Sequence, residues 1–322
     1  MKLLTYVGMV VAGAIGTASA CVVTDFEGLT AVLINPSSVT GNLNATGCDI
    51  GIYYNQGKGS VKNANIFGAL EFGVVVNGDT RSVSVDVLSN SIHNIGDAPP
   101  NGNQRGVAIY FRSYFGGKAS GRISGNLLKD YQKGGIVANG PGSNVDVTDN
   151  AVIGFGPVNF IAENGIQIGF GASAQVMRNT VSGHAYTGVS TVSGGIVVVG
   201  GPGYGICPDG PCKYTTGTQI VGNTVIGNDI GIFLSNLASD FGAPFTATNV
   251  KVINNVIINT ALTNNYAGGY QAGVADVGNN DKIITNTISG AGYDPLANPS
   301  AYTVHIDADP SFTNRPKVHA NR

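Results

Sequence analysis

The chain of 322 residues has no Trp, three Met, four His and four Cys, and only 11% of its residues are charged. Seventeen Lys plus Arg stand against 19 Asp plus Glu, for a formal net charge of −2. The broad basic face of a nucleic-acid binder is therefore missing. Four His and three Met, none at ligand spacing, make a copper-delivery role remote, and no metal and no cofactor is expected. After residue 20 no stretch is apolar for long enough to cross a bilayer, so no membrane span is expected in the mature chain. What the chain has in quantity is Gly, 48 residues, with ample aliphatic material for a core. That density of Gly fits an all-β repeat with many tight turns and not a helical bundle.

The first twenty residues carry Lys2, an apolar run from Tyr6 to Ile15 and then Ala18-Ser19-Ala20. Small residues at the first and third positions before a cut match a signal peptidase site, so 1–20 reads as a signal peptide removed before Cys21. A retained anchor is the weaker alternative because the run is short. A lipid-modified Cys21 is weaker still, since Ala18 stands where such signals usually have Leu. The protein is expected to be secreted, extracellular or periplasmic, and its cysteines to be oxidised. Cys207 and Cys212 bracket CPDGPC, where Asp209-Gly210 supplies a turn, and a disulfide is favoured over a metal pair. Cys21 and Cys48 remain as the second pair.

Near-copies of one motif return along the chain: VDVLSNSIHN, GRISGNLLKD, VDVTDNAVIG, AQVMRNTVSG, TQIVGNTVIG, VKVINNVIIN and KIITNTISG. Aligned on Asn90, Asn126, Asn150, Asn179, Asn223, Asn255 and Asn286, every residue three before and two after the Asn is aliphatic. SVKNANIFG is an eighth copy with Ala64 at the Asn position. A second short strand follows in each unit: FGVVV, RGVAIYF, GGIVA, NGIQIGF, GGIVVV, IGIFL and AGVADV. Units spaced 24 to 44 residues apart predict a stacked coil. In such a coil each Asn lies above the last, and its amide pairs with the neighbouring rung in a structural ladder. Four residues before the Asn stand Asp86, Arg122, Asp146, Gln175, Gln219, Lys251 and Lys282, read as an outward column of small energetic worth.

This pattern resembles the right-handed parallel β-helix superfamily of pectate-lyase-like proteins, over about residues 48 to 290. Within it YQKGGIVANG, IAENGIQIGFGA and GHAYTG are similar to a secreted subgroup of β-helix repeat proteins without assigned chemistry. The expected fold is all-β, a parallel β-helix solenoid of about eight coils with a short N-terminal capping helix. The expected division is signal peptide 1–20, N-terminal cap 21–47, β-helix domain 48–310 and C-terminal tail 311–322. The cap is read from TDFEGLTAVLI, where Thr24 and Glu27 stand at capping-box spacing before Leu29, Val32 and Leu33. AYTVHIDADPSF is read as a last strand or cover, and NRPKVHANR as a mobile tail.

Loops that vary in length on one side of the coil define where a site would form. Aligning the second strands on Gly106, Gly135, Gly165, Gly195, Gly231 and Gly273 places Gln104, Lys133, Glu163, Ser193, Asp229 and Gln271 in one column. Lys133 and Glu163 then share adjacent rungs, with Arg105, Tyr131, Asn164, Gln167, His184 and Tyr186 in reach. The bland reading makes these loop fasteners. The sharper one makes a polysaccharide site: Lys133, His184 or Tyr186 as proton acceptor with Glu163 tuning the amine, and Arg105, Tyr131, Asn164 and Gln167 binding the sugar.

Signatures of known enzymes with this fold are mostly missing. There is no Asp-Asp pair, GHA stands in place of the G-H-G of polygalacturonases, and neither the Asp-rich calcium site nor the paired Arg of pectate lyases is present. Gly292-Tyr293-Asp294-Pro295 matches the Y-G-x-D-P-H of mannuronan epimerases only in part and reads as a turn. Asp307 and Asp309 read as a solvated face, with a weak calcium site the alternative. The expectation is a secreted monomer that binds or modifies a polysaccharide, acidic or neutral, the enzymatic version being a metal-independent lyase. The alternative is a noncatalytic surface or adhesion protein.

Overall fold

The computed structural model describes residues 10–11, 20–263, 267, 269–306 and 317–321. The expected signal peptide, apart from Val10, Val11 and Ala20, and the pair Asp307 and Asp309 lie outside them. The described chain is a parallel β-helix. Strands preceding each ladder Asn, such as Ser82–Leu88, Lys118–Ser124 and Ser143–Thr148, pair in parallel with their counterparts one coil on and form the leading face. Strands following the Asn, such as Ser91–Ile95 and Leu127–Tyr131, form the trailing face, and the two faces make one continuous sheet bent at the ladder. The second strands, from Thr30–Ile34 and Ile50–Tyr54 to Gln271–Asp276 and Ala301–Ile306, form the glycine face.

The ladder does what its spacing predicted. Asn126 Nδ2 donates to Asn150 Oδ1 (2.8 Å) and to Val87 O (2.9 Å), while its backbone N–H donates to the same Asn150 Oδ1 (3.0 Å). The pattern recurs through Asn90, Asn150, Asn179, Asn223, Asn255 and Asn286. Each buried amide thus spends both its donors and its acceptor, which removes the desolvation cost of a polar group in the core. The bend itself comes from the residue before the Asn, which is left-handed in every coil: Ser89, Gly125, Asp149, Arg178, Gly222, Asn254 and Thr285 all have φ between 55° and 67°. Inside, Val85, Val87, Ile92, Ile109 and Phe111 and their equivalents stack into one continuous core.

The glycine repeat has a separate cause. Gly51, Gly73, Gly135, Gly165, Gly195, Gly231 and Gly273 lie in one column, and a Cβ on any of them would stand 2.5–2.8 Å from the carbonyl oxygen of the next coil. Only a residue without a side chain packs there unless the backbone gives, as at Ala108, which lies opposite Gly135. The first unit is therefore aligned on Ala108 and not on Gly106. Gly106 serves a turn at φ +89°, and Gln104 leaves the column.

Both ends differ from expectation. The N-terminal segment is a hairpin and not a capping helix: Val22–Val23 pairs antiparallel with Thr30–Ala31. Glu27 (φ 56°) and Gly28 (φ 75°) are both left-handed, which no α-helix accommodates. Thr24 Oγ1 donates to Leu29 O at 2.8 Å and accepts from Phe26 N at 3.1 Å, so the apparent capping box closes a tight loop. At the other end Ala301–Ile306 adds a glycine-face strand as expected. The segment read as a mobile tail contributes Lys317–His319 to the leading face, and Asn321 extends the ladder by accepting from Asn286. Among the described residues ten parallel strands stand on the glycine face, where about eight coils were expected, and they make a rod roughly 45–50 Å long. Both disulfides form, Cys21–Cys48 and Cys207–Cys212. Among the described residues no helix is long and apolar enough to cross a membrane.

Candidate functional site

The corrected alignment keeps Lys133, Glu163, Ser193, Asp229 and Gln271 in one column, where the chain enters the glycine face, and the structure turns most of it inward. Glu163, Ser193, Asp229 and Gln271 are fully buried. Glu163 Oε1 accepts from Phe155 N at 2.6 Å, and Lys133 Nζ donates to Ala162 O at 2.7 Å. Asp229 Oδ2 accepts from the backbone N–H of Tyr186 (2.7 Å) and Ser193 (3.0 Å), and Thr263 Oγ1 donates to its Oδ1 at 2.6 Å. Lys133, Glu163, Asp229 and Gln271 thus fasten loops that would otherwise leave buried backbone groups unpaired, whereas Ser193 Oγ has no partner among the described residues.

Tyr131 and His184 lie deeper. His184 is fully buried, and both its backbone N–H and its Nδ1 meet Asn228 Oδ1, at 3.0 and 2.8 Å. An amide oxygen only accepts, so Nδ1 carries the proton and Nε2 accepts from the Tyr131 hydroxyl at 2.5 Å. Burial pushes His184 down to about 4 and Tyr131 far above its ordinary range, so both are neutral. Burial also pushes Glu163 up to about 8, and its Oε2 has no hydrogen-bond partner among the described residues. The Lys133 amine is lowered by burial, against the opposing pull of Glu163. Tyr186 is half-buried, with its hydroxyl 3.3 Å from Ser190 Oγ. Arg105 lies elsewhere, 3.4 Å from Glu71 and 3.8 Å from Asp97. The structure brings Tyr131 to His184 and Lys133 near Glu163, but holds Tyr131, Glu163 and His184 in the interior.

The outward side of the glycine face presents a different set. One column runs Tyr53, Val75, Tyr110, Val137, Gln167, Val197 and Phe233, and the next runs Asn77, Arg112 and Asn139. Tyr110, Gln167 and Asn164 are half-buried. Asn139 Oδ1 accepts from Gln167 Nε2 at 3.1 Å, and its amide offsets part of the effect of burial on the Tyr110 hydroxyl. Asn164 Oδ1 accepts from Gly194 N at 2.9 Å. The N-terminal hairpin closes the first coils by laying Phe26 against Tyr53, Phe72 and Tyr110, with ring centroids 5.8–6.4 Å apart. Beside it Arg112 pairs with Asp79 and Glu27, both at 2.9 Å, and lies 5.1 Å from the Phe26 ring centroid. On the far side the Cys207–Cys212 loop folds back to pack on Tyr114 and Phe170. Exposed Phe115 and Tyr204 at one end of these strands and Phe160 at the other leave aromatic surface on loops flanking the face. Sequence reasoning missed Tyr110, Arg112 and Asn139; their signal was the outward alternation of GVAIYFR and GGIVAN once the glycine column is aligned.

Among solved structures the chain is similar to a glycoside hydrolase at 9% identity (TM-score 0.42), covering 84% of this chain and 38% of that one. It is also similar to a double mutant of the periplasmic alginate epimerase AlgG at 11% identity (TM-score 0.32), covering 84% of this chain and 75% of that one. The chain thus spans well under half the length of the hydrolase. No family model matches the sequence, and no curated protein matches it.

Proposed function

We propose that this is a secreted protein that binds a polysaccharide along the outward side of its glycine face. The observation that carries the reading is the row of Tyr110, Asn139 and Gln167, in which Tyr110 and Gln167 are partly exposed and the buried Asn139 stands on the coil between them, with Asn164 beside it. A phenol hydroxyl and several amides, spaced by single coils, suit a chain of sugars that offers hydroxyls at each step. Two disulfides and the signal-like leader support an oxidising compartment outside the cytosol. The test is titration of a panel of fluorescent oligosaccharides with the wild type and with Gln167→Ala and Asn139→Ala. We expect each substitution to weaken binding at least about tenfold; unchanged affinity in both would sink the reading.

Lyase chemistry is the second reading, and one observation favours it: the Lys133 amine is depressed by burial, as a general base requires. Against it, Lys133 Nζ donates to Ala162 O, and Glu163 and His184 have no exposed surface from which to meet a polymer. Incubation with uronic-acid polymers and ultraviolet detection of unsaturated ends decides the matter. We expect no product; product that vanishes with Lys133→Ala would establish the lyase.

A further inference from the structure

The outward column of the leading face changes character along the rod. In strand register it runs Asp86, Arg122, Asp146, Gln175, Gln219, Lys251, Lys282 and Lys317. In the first coils opposite charges meet, and Arg122 Nη2 lies 2.5 Å from Asp86 Oδ2. In the last three coils the same position is Lys, directly opposite Lys, directly opposite Lys. Like charges facing each other across paired strands are unfavourable. None of the three forms an ion pair among the described residues, although the same column is neutralised at its other end. The flanking outward positions supply no acid either: Asn249 and Asn280, joined at 2.7 Å, stand on one side, and Ile253, Ile284 and His319 on the other. Toward the middle of the rod the face opens into a groove of about 490 Å³, lined by Lys62, Leu88, Arg122, Asp146, Gln175 and Met177.

We propose that Lys251, Lys282 and Lys317, extended by Gln219 and Gln175, form a second binding surface for an acidic polysaccharide lying parallel to the rod. Carboxylates of the polymer neutralise the three ammoniums, and the glutamine amides take its hydroxyls where the column loses charge. This surface is separate from the row on the glycine face and does not depend on it. A nucleic acid fits poorly. The column is a single residue wide on a chain of net charge −2, and no Phe, Tyr or Trp stands in these columns to stack a base.

The experiment titrates the full chain with a fluorescent polyuronate, with the same polymer after carboxyl reduction, and with a single-stranded DNA of matched charge. The variants are the triple Lys251→Gln, Lys282→Gln, Lys317→Gln, the charge control Lys129→Gln on the exposed trailing face, and Gln167→Ala as the reporter of the glycine face. We expect the wild type to bind the polyuronate at low salt and to release it near 1 M salt, where charge attraction is screened within about 3 Å. The triple variant should lose at least about tenfold in affinity, Lys129→Gln should lose nothing, and the reduced polymer should not compete. With no ligand present, Lys282→Gln alone should raise the melting temperature at low salt, because the central repulsion is gone. Equal binding by the triple variant, equal binding of the reduced polymer, or tighter binding of the DNA each overturns the proposal. Loss of polyuronate binding in Gln167→Ala with the triple variant unaffected would move the polymer to the glycine face instead.

Discussion

Glu163 holds its proton up to about pH 8 because burial disfavours the carboxylate. Unfolded, the same group ionises near its ordinary value, so between roughly pH 4.5 and 8 the folded chain binds a proton that the unfolded chain lacks. The stabilisation is complete below that window and is lost as the pH rises through it. His184 acts oppositely: its folded value near 4 lies below the ordinary 6.5, so its contribution is lost as the pH falls from about 6.5 to 4. Urea melts of Glu163→Gln should show this directly. Between pH 5 and 8.5 the wild type should lose a few kcal/mol relative to the variant, while parallel curves would mean that Glu163 titrates normally. The coil assigned to each of these residues was legible from spacing alone. Their inward direction was not, because a polar column beside a loop looks the same in sequence whether it ties the loop down or faces water.

At the scale of the repeat, the ladder makes neighbouring coils depend on one another. Asn150→Ala would leave two donors of Asn126, its backbone N–H and its Nδ2, facing an empty acceptor position, and would strip a partner from Ile123 O. Several buried polar groups lost together predict a cost of roughly 3–5 kcal/mol. At the edges the same change costs less. Ala64 already occupies the ladder position of its coil, and its N–H still donates to Asn90 Oδ1 at 2.9 Å. Asn321→Ala should therefore cost about 1 kcal/mol, and equal losses in the two variants, read from thermal melts, would refute the ladder's cooperativity. The Asn and the aliphatic positions announced these strands in sequence. The left-handed residue before each Asn did not, because Ser89, Asp149, Arg178 and Thr285 share no chemistry; the bend is imposed by the coil and not by residue preference. The misalignment at Gly106 has a similar origin, since turn glycines and stacking glycines are the same letter.

For the whole molecule, the disulfide Cys21–Cys48 decides how the first coils are covered. It anchors the hairpin that sets Phe26 on Tyr53 and brings Glu27 to Arg112. Replacing both cysteines by Ser should lower the melting temperature, with a loss of about 2–4 kcal/mol, and should make the segment before Thr30 an early site of proteolysis. A variant as resistant as the wild type would show that apolar contacts alone hold the hairpin. The capping helix expected there was a misreading of Thr24 and Glu27, whose spacing suits a tight loop as well as a helix start.

Because the strands of successive coils pair edge to edge, their backbone hydrogen bonds run along the long axis of the rod. Load applied across the rod is shared by three stacked faces and the packed core between them. Load applied along it falls on one coil at a time, starting at whichever end is pulled. The molecule should therefore resist bending yet peel from an end in steps of one coil, each step releasing the few tens of residues that separate one ladder Asn from the next.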